Sequence, residues 1–378
     1  MTGSYNIAPS WVADVRSTAW GTLPTANTGN SAISSTEWRQ LQRLLEKSVT
    51  PGKLYSTDIV NTYSLVYTTS TGAYTGGVLA PNGEIHFIPH SANRGQKISA
   101  AGVVSTYALV YTVANAYLGG VLAPNGDINF VPFSAVRGQK ISASGVVSTY
   151  ALVYTTTLAY AGGILGLNGE THFIPQNAAV GQKISATGTV STYSLAYTTT
   201  TAYRGGVLAH NGEIHFVPYG GVVGQKISTA GVLSTYALVY TTALAYTGGV
   251  LAPNGDIHFI PREAIVGQKV SPTGVVSTYS LVYTTTNAYA GGVLAPNGDI
   301  HFVPASAGVG QKISPAGVVS TYSLVYTTSS TAHLGGILAP NGEIHLSAFT
   351  APVGQKISTV AAKSFDTGVC LSPFFNKF

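Results

Sequence analysis

Six histidines, His86, His172, His215, His258, His301 and His345, stand at one position of a recurring phrase, each shortly after an acid (Glu84, Glu170, Glu213, Asp256, Asp299 and Glu343). Imidazoles and carboxylates in a regular pattern are the raw material of a metal centre. The second copy, however, places Asn129 where the others have histidine, after Asp127. Asparagine can stand in for a hydrogen-bonding imidazole within a sheet but is a poor transition-metal ligand. Equivalent positions of a repeat are also spread through the fold instead of being gathered at one point. The histidines therefore read as structural hydrogen-bonding groups, with no metal and no cofactor expected.

Each copy also carries one lysine, at 97, 140, 183, 226, 269, 312 and 356. Seven matched acid–lysine pairs argue for architecture, with each pair approaching across antiparallel neighbours and contributing about 0–1 kcal/mol. No single copy shows a convergent acid, base or metal group, so the sequence predicts a chain that is not an enzyme.

The elements that carry these residues repeat with a fixed ruler. Gly-Gly pairs begin at Gly76, Gly119, Gly162, Gly205, Gly248, Gly291 and Gly335, a spacing of 43 residues five times and 44 once. Within a copy, "TYSLVYTT" (62–69), "AYTGGVLA" (73–80), "EIHFIP" (84–89) and "GQKIS" (95–99) are rich in β-branched and aromatic residues and read as four strands. Between the second and third, Ala80-Pro81-Asn82-Gly83-Glu84 predicts a type I turn with a glycine bulge. A four-stranded unit of this size cannot bury both faces alone, and seven such units suit a closed ring. The predicted fold is all-β, a seven-bladed β-propeller of four-stranded antiparallel blades. If the Gly-rich strand is innermost, the last blade lacks its outer strand, and the segment near 61–69 is free to supply it beside 354–358.

Composition narrows the function classes. Only 8% of the 378 residues are charged, and the net charge of +5 is not gathered in any run of Lys and Arg. Nucleic-acid binding is not indicated. Cys370 is the single cysteine, which excludes an internal disulfide. The N-terminus lacks the basic and apolar regions of a signal peptide, and no uninterrupted apolar stretch predicts membrane insertion.

Differences among copies are more informative than agreements. The loop after "EIHFIP" and the loop before the Gly-rich strand both vary, whereas the Asn-Gly of the "PNG" turns and the glycine of the "AG" or "TG" connections are constant. In an up-and-down meander the two variable loops share one face. That face carries His90, Arg94, Phe133, Arg137, Gln176, Asn177, Tyr219, Arg262 and Glu263, with Arg204 near its rim. Loops on a rigid scaffold are where recognition resides, so these residues are the candidate binding set.

The chain divides into an N-terminal arm (1–55), the seven-repeat ring (56–358) and a C-terminal segment (359–378). The arm holds a predicted helix from about Ser35 to Lys47, with Trp38, Leu41, Leu44 and Leu45 on it. The tail ends in Phe374, Phe375 and Phe378. These two apolar groups read as assembly contacts, either to the ring or to other subunits in an oligomeric assembly.

No repeat contains a Trp-Asp pair, the spaced Tyr and Trp of kelch blades, or a sialidase-type Asp box. The phrase "GGVLAPNGEIHFIP" followed by "GQKIS" resembles the repeat of uncharacterised propeller-like proteins encoded by tailed bacteriophages and found among virion components. This resemblance spans about 300 residues. It implies a structural or interaction protein of the particle: a capsid decoration, fibre or tail part. Its partners would be other virion proteins and a host surface glycan or protein, and its location the virion after synthesis in the host cytoplasm. A carbohydrate-binding propeller is the alternative.

Overall fold

The computed structural model describes residues 58–69, 72–328 and 330–359. The arm, the predicted helix and the terminal phenylalanines lie outside the described residues. The chain divides into Met1–Leu54 and Tyr55–Phe378, and the second unit contains the ring. Seven four-stranded antiparallel sheets form it, with inner strands Tyr74–Leu79, Tyr117–Leu122, Tyr160–Leu165, Tyr203–Leu208, Tyr246–Leu251, Tyr289–Leu294 and His333–Leu338. We number the blades one to seven by these strands. In blades one to six the sheet order follows the chain, so the Gly-rich strand is innermost.

Blade seven is closed by the start of the ring. Ile59–Ser64 pairs with Val353–Ser358 over six positions, from Ile59↔Ser358 to Ser64↔Val353. Asp58, just ahead of this strand, reaches blade six, where its Oδ2 lies 2.6 Å from Lys312 Nζ. The predicted strand 62–69 is corrected: pairing ends at Ser64 and the chain then leaves the sheet. Its cause is the glutamine of "GQKIS". Gln96 Oε1 accepts hydrogen bonds from the Val66 and Tyr67 amides at 3.1 and 2.8 Å, and Gln139 and Gln182 do the same for the corresponding amides of the preceding blades. These fully buried glutamines latch each blade to the chain leaving its neighbour.

The Gly-Gly pair has two duties. In blade two, a Cβ on Gly119 would lie 3.2 Å from the Gly162 backbone of the next blade, so the first glycines pack against one another around the axis. A Cβ on Gly120 would meet Ile88 and Val78 of blade one. Between blades, Val78 and Ile88 pack with Tyr117 and Phe130 in one apolar cluster, a pattern that recurs around the ring.

The constant turns form as expected. Ala80 N–H donates to Glu84 O, Gly83 N–H donates to Ala80 O, and Gly83 takes a φ of +82°, where an L side chain would be strained. Lys97 Nζ lies 2.6 Å from Glu84 Oε1, and His86 Nδ1 is 3.5 Å from the Tyr107 hydroxyl. The Lys97 hydrogen bond holds the Glu84 carboxyl below its ordinary range, whereas burial pulls His86 down to about 4. The repeated histidine is thus neutral at pH 7 and packs edge-on to a tyrosine.

Candidate functional site

The inner strand of every blade carries a bulge. In blade four, Tyr203 pairs with Pro218 and Gly206 with Phe216, so Arg204 and Gly205 together oppose Val217. Gly205 absorbs the distortion with φ +83°. Such a bulge re-aims one side chain, and here the residue ahead of the first glycine is affected. That position reads Thr75, Leu118, Ala161, Arg204, Thr247, Ala290 and Leu334 around the ring, although its neighbours are nearly constant.

A second variable position lies one residue past the second strand: His90, Phe133, Gln176, Tyr219, Arg262, Ala305 and Phe349. Its backbone is a joint. The carbonyls of His90, Phe133, Gln176, Tyr219, Ala305 and Phe349 each accept a hydrogen bond from the alanine that opens the next inner strand. At Arg262 the link changes, and Ala288 N–H donates instead to Thr285 O.

These two positions converge on the axis. A cavity of ≈ 220 Å³ is lined by His90, Leu118, Phe133, Arg204, Thr247, Arg262, Asn287, Ala290, Ala305, Thr331, Leu334 and Phe349. Every blade except the third contributes, which only an axial site allows. The cavity opens on the variable-loop face, as the mouth of the ring.

Its walls are unlike. On one side His90 stacks against Phe133 and Phe349, with ring centroids 5.9 and 5.4 Å apart. On the other, the Arg204 and Arg262 guanidinium carbons lie 5.3 and 5.2 Å from the centre of the Tyr219 ring, one cation from the same blade and one from the next. The Tyr219 hydroxyl accepts from both arginines, and Arg262 Nε donates to Asn287 Oδ1. Burial lowers Arg204 to about 10, and burial together with the Arg204 charge lowers Arg262 to about 10. Both remain cations at neutral pH. Burial, followed by the Arg204 charge, pulls His90 down to about 4, so it adds no positive charge at pH 7.

The sequence-predicted residues divide accordingly. His90, Phe133, Arg204 and Arg262 line the mouth, and Tyr219 supports it. Arg204 is at the axis and not near the rim. Phe133, Tyr219, His90 and Gln176 are 8, 6, 7 and 4% exposed, which corrects their reading as surface loop residues: the ring folds this position inward. Asn177 is structural, its Oδ1 accepting the Thr201 N–H at 2.7 Å. Arg94 and Arg137 are exposed at the starts of their strands and do not line the cavity, nor does the half-buried Glu263. Sequence reading missed Leu118, Thr247, Asn287, Ala290, Ala305, Thr331, Leu334 and Phe349. Variation immediately ahead of the invariant Gly-Gly was the available signal for Leu118, Thr247, Ala290 and Leu334.

Two other places were candidates. Asp58, Asp299 and His301 offer ligand atoms within 4.8 Å of one another, but Lys312 Nζ lies 2.6 and 3.0 Å from the two carboxylates and already supplies their countercharge. A cleft of ≈ 90 Å³ on the other face, beside Leu167 and Asn168, is smaller than the mouth.

No family model and no curated protein matches this chain. Among solved structures, a streptogramin B lyase superposes with TM-score 0.70 at 21% identity, covering 80% of this chain and 98% of that one. A virginiamycin B lyase from Staphylococcus aureus gives 0.70 at 17% identity, with 80 and 99% covered. An auxiliary nutrient binding protein from Bacteroides ovatus gives 0.53 at 11% identity, with 80 and 76% covered. At these identities the likeness establishes the propeller fold. It also corrects the expectation that the chain is not an enzyme, because lyases are built on this same ring. Seven copies of a scaffold do not imply seven copies of a site: the axial mouth takes different side chains from different blades, so one ring can assemble one unique constellation.

Proposed function

We propose that the ring is a recognition domain whose axial mouth, on the variable-loop face, binds a ligand. One observation carries this reading. The copy-specific side chains of two repeat positions meet in a single cavity, whereas the turns, latches and acid–lysine pairs elsewhere are scaffold. A concave site with an apolar wall and a few polar groups is the usual form of a small-molecule site. The resemblance of the repeat to virion proteins supports setting such a ring on a phage particle, where the mouth faces a partner. Detection of the chain in purified particles tests that setting.

The binding reading is tested by thermal-shift screening of soluble metabolites and glycans against the wild type and Ala290→Trp, which fills the mouth from a half-buried position. Ligands that raise the melting temperature of the wild type and not of the variant are expected. A screen without stabilising compounds, or with equal responses from both proteins, overturns the reading.

A further inference from the structure

The mouth is polarised. Two guanidiniums, Arg204 and Arg262, share one side with Tyr219 between them, and neither makes an ion pair among the described residues. Glu263, beside Arg262 in the chain, acts on it only at a distance. Two like charges brought together in a partly buried cavity repel each other and lose hydration, an arrangement that an anion relieves. Opposite them, Phe133, Phe349 and Leu334 present an apolar wall with the neutral His90.

The joint between blades also departs from the repeat at this spot. The backbone link that the other blades make is absent at Arg262, and Asn287, which keeps the positive φ of the equivalent residues Asn115, Leu158, Thr201 and Leu244, turns its side-chain oxygen to Arg262 Nε. Arg262 is therefore set by a local structure of its own rather than by the ring's repeating pattern.

From this geometry we infer that the mouth selects a small organic oxyanion with an apolar body, its carboxylate or phosphate held by Arg204 and Arg262 and its body lying on Phe133 and Phe349. The inference rests on the proposed binding role and specifies its ligand class. Arginine suits this use because its planar donor fork matches carboxylate and phosphate oxygens. The volume of ≈ 220 Å³ suits a ligand of small-molecule size.

The test titrates the full chain by calorimetry with phenylacetate, phenyl phosphate, the neutral isostere phenylacetamide and inorganic phosphate. Phenylacetate or phenyl phosphate binds saturably, and the better of the two identifies the oxyanion. Phenylacetamide and inorganic phosphate bind at least about tenfold more weakly. Arg262→Gln and Arg204→Gln each weaken the anion by about tenfold or more. Arg137→Gln, which alters an exposed arginine outside the mouth, leaves it unchanged. Should Arg204→Gln not fold, Arg262→Gln decides the outcome, with its melting temperature as the control for folding. Absence of binding by both phenyl anions, equal binding of phenylacetamide, or unchanged affinity in Arg262→Gln overturns the anion assignment. Equal binding of phenylacetamide that Ala290→Trp blocks would leave the mouth a ligand site of a different class.

Discussion

The turns on one face and the mouth on the other are made from the same seven copies, yet they use repetition in opposite ways. The turn at Ala80–Glu84 recurs with the same hydrogen bonds and the same glycine at positive φ in every blade. At the mouth the repeat supplies position without identity, so an arginine, a leucine, a threonine or an alanine can follow the same inner-strand tyrosine. Where a residue closes a turn, latches a blade or fills a gap between blades, any copy that changes it loses stability. Where it faces the axis, its neighbours belong to other blades and its identity is free to serve one shared cavity.

The scaffold depends most heavily on its closing strand. Deleting 58–64 removes the six-position ladder to Val353–Ser358. The melting temperature should fall by roughly 10 °C or more, equivalent to several kcal/mol, or cooperative unfolding should be lost in calorimetry. Next in size is Gly138→Ala. Its Cβ would sit 2.2 Å from the Tyr150 ring, which lies over this glycine, and similar contacts recur at Gly95 and Gly181. A cost of about 3 kcal/mol is expected in urea titration, with similar costs at the equivalent glycines of the other blades, Gly224, Gly267, Gly310 and Gly354 among them. Gln139→Leu follows, because it strands the amides of Val110 and Tyr111, and should cost about 2 kcal/mol or more.

Acid acts on the scaffold through the histidines. Burial pulls His86, His172, His215, His258, His301 and His345 down to about 4. Unfolded imidazoles take up protons near pH 6.5, so between 6.5 and 4 the unfolded chain binds more protons and stability falls as pH falls. His172→Asn copies the residue that blade two already has. It should flatten the dependence of urea stability on pH in that window by up to about 1.4 kcal/mol per pH unit. An unchanged slope would mean that His172 titrates in the folded ring. The smallest effect belongs to the outer parts of the variable face: Arg94→Gln and Arg137→Gln should each change stability by less than about 0.5 kcal/mol.

Much of the scaffold was legible because its signals are local. Pro81-Asn82-Gly83 specifies its turn from adjacent residues, and the 43-residue ruler implies stacked units. The strand end at Ser64 was not legible, since Leu65–Thr69 has the same strand-forming composition and is pulled out of the sheet by Gln96 of the next blade. The site was half legible. Variation marked His90, Phe133, Arg204, Tyr219 and Arg262, but their convergence depends on closure of the ring, and loop position alone suggested exposure. Phe349 belongs to the seventh copy, whose altered wording "LSAFTAPV" hid its equivalence to His90 and Phe133.

The closing ladder has a mechanical side. Ile59 faces Ser358 at the end where the chain enters and leaves the sheet, and Ser64 faces Val353 at the far end. A load drawn between Asp58 and Thr359 therefore falls on one pair at a time and peels the strand away like a zip fastener, at low force. The same load drawn across two neighbouring blades would instead have to slide whole apolar faces past each other. Under tension from its two ends, this ring would open at its seam before any blade was torn.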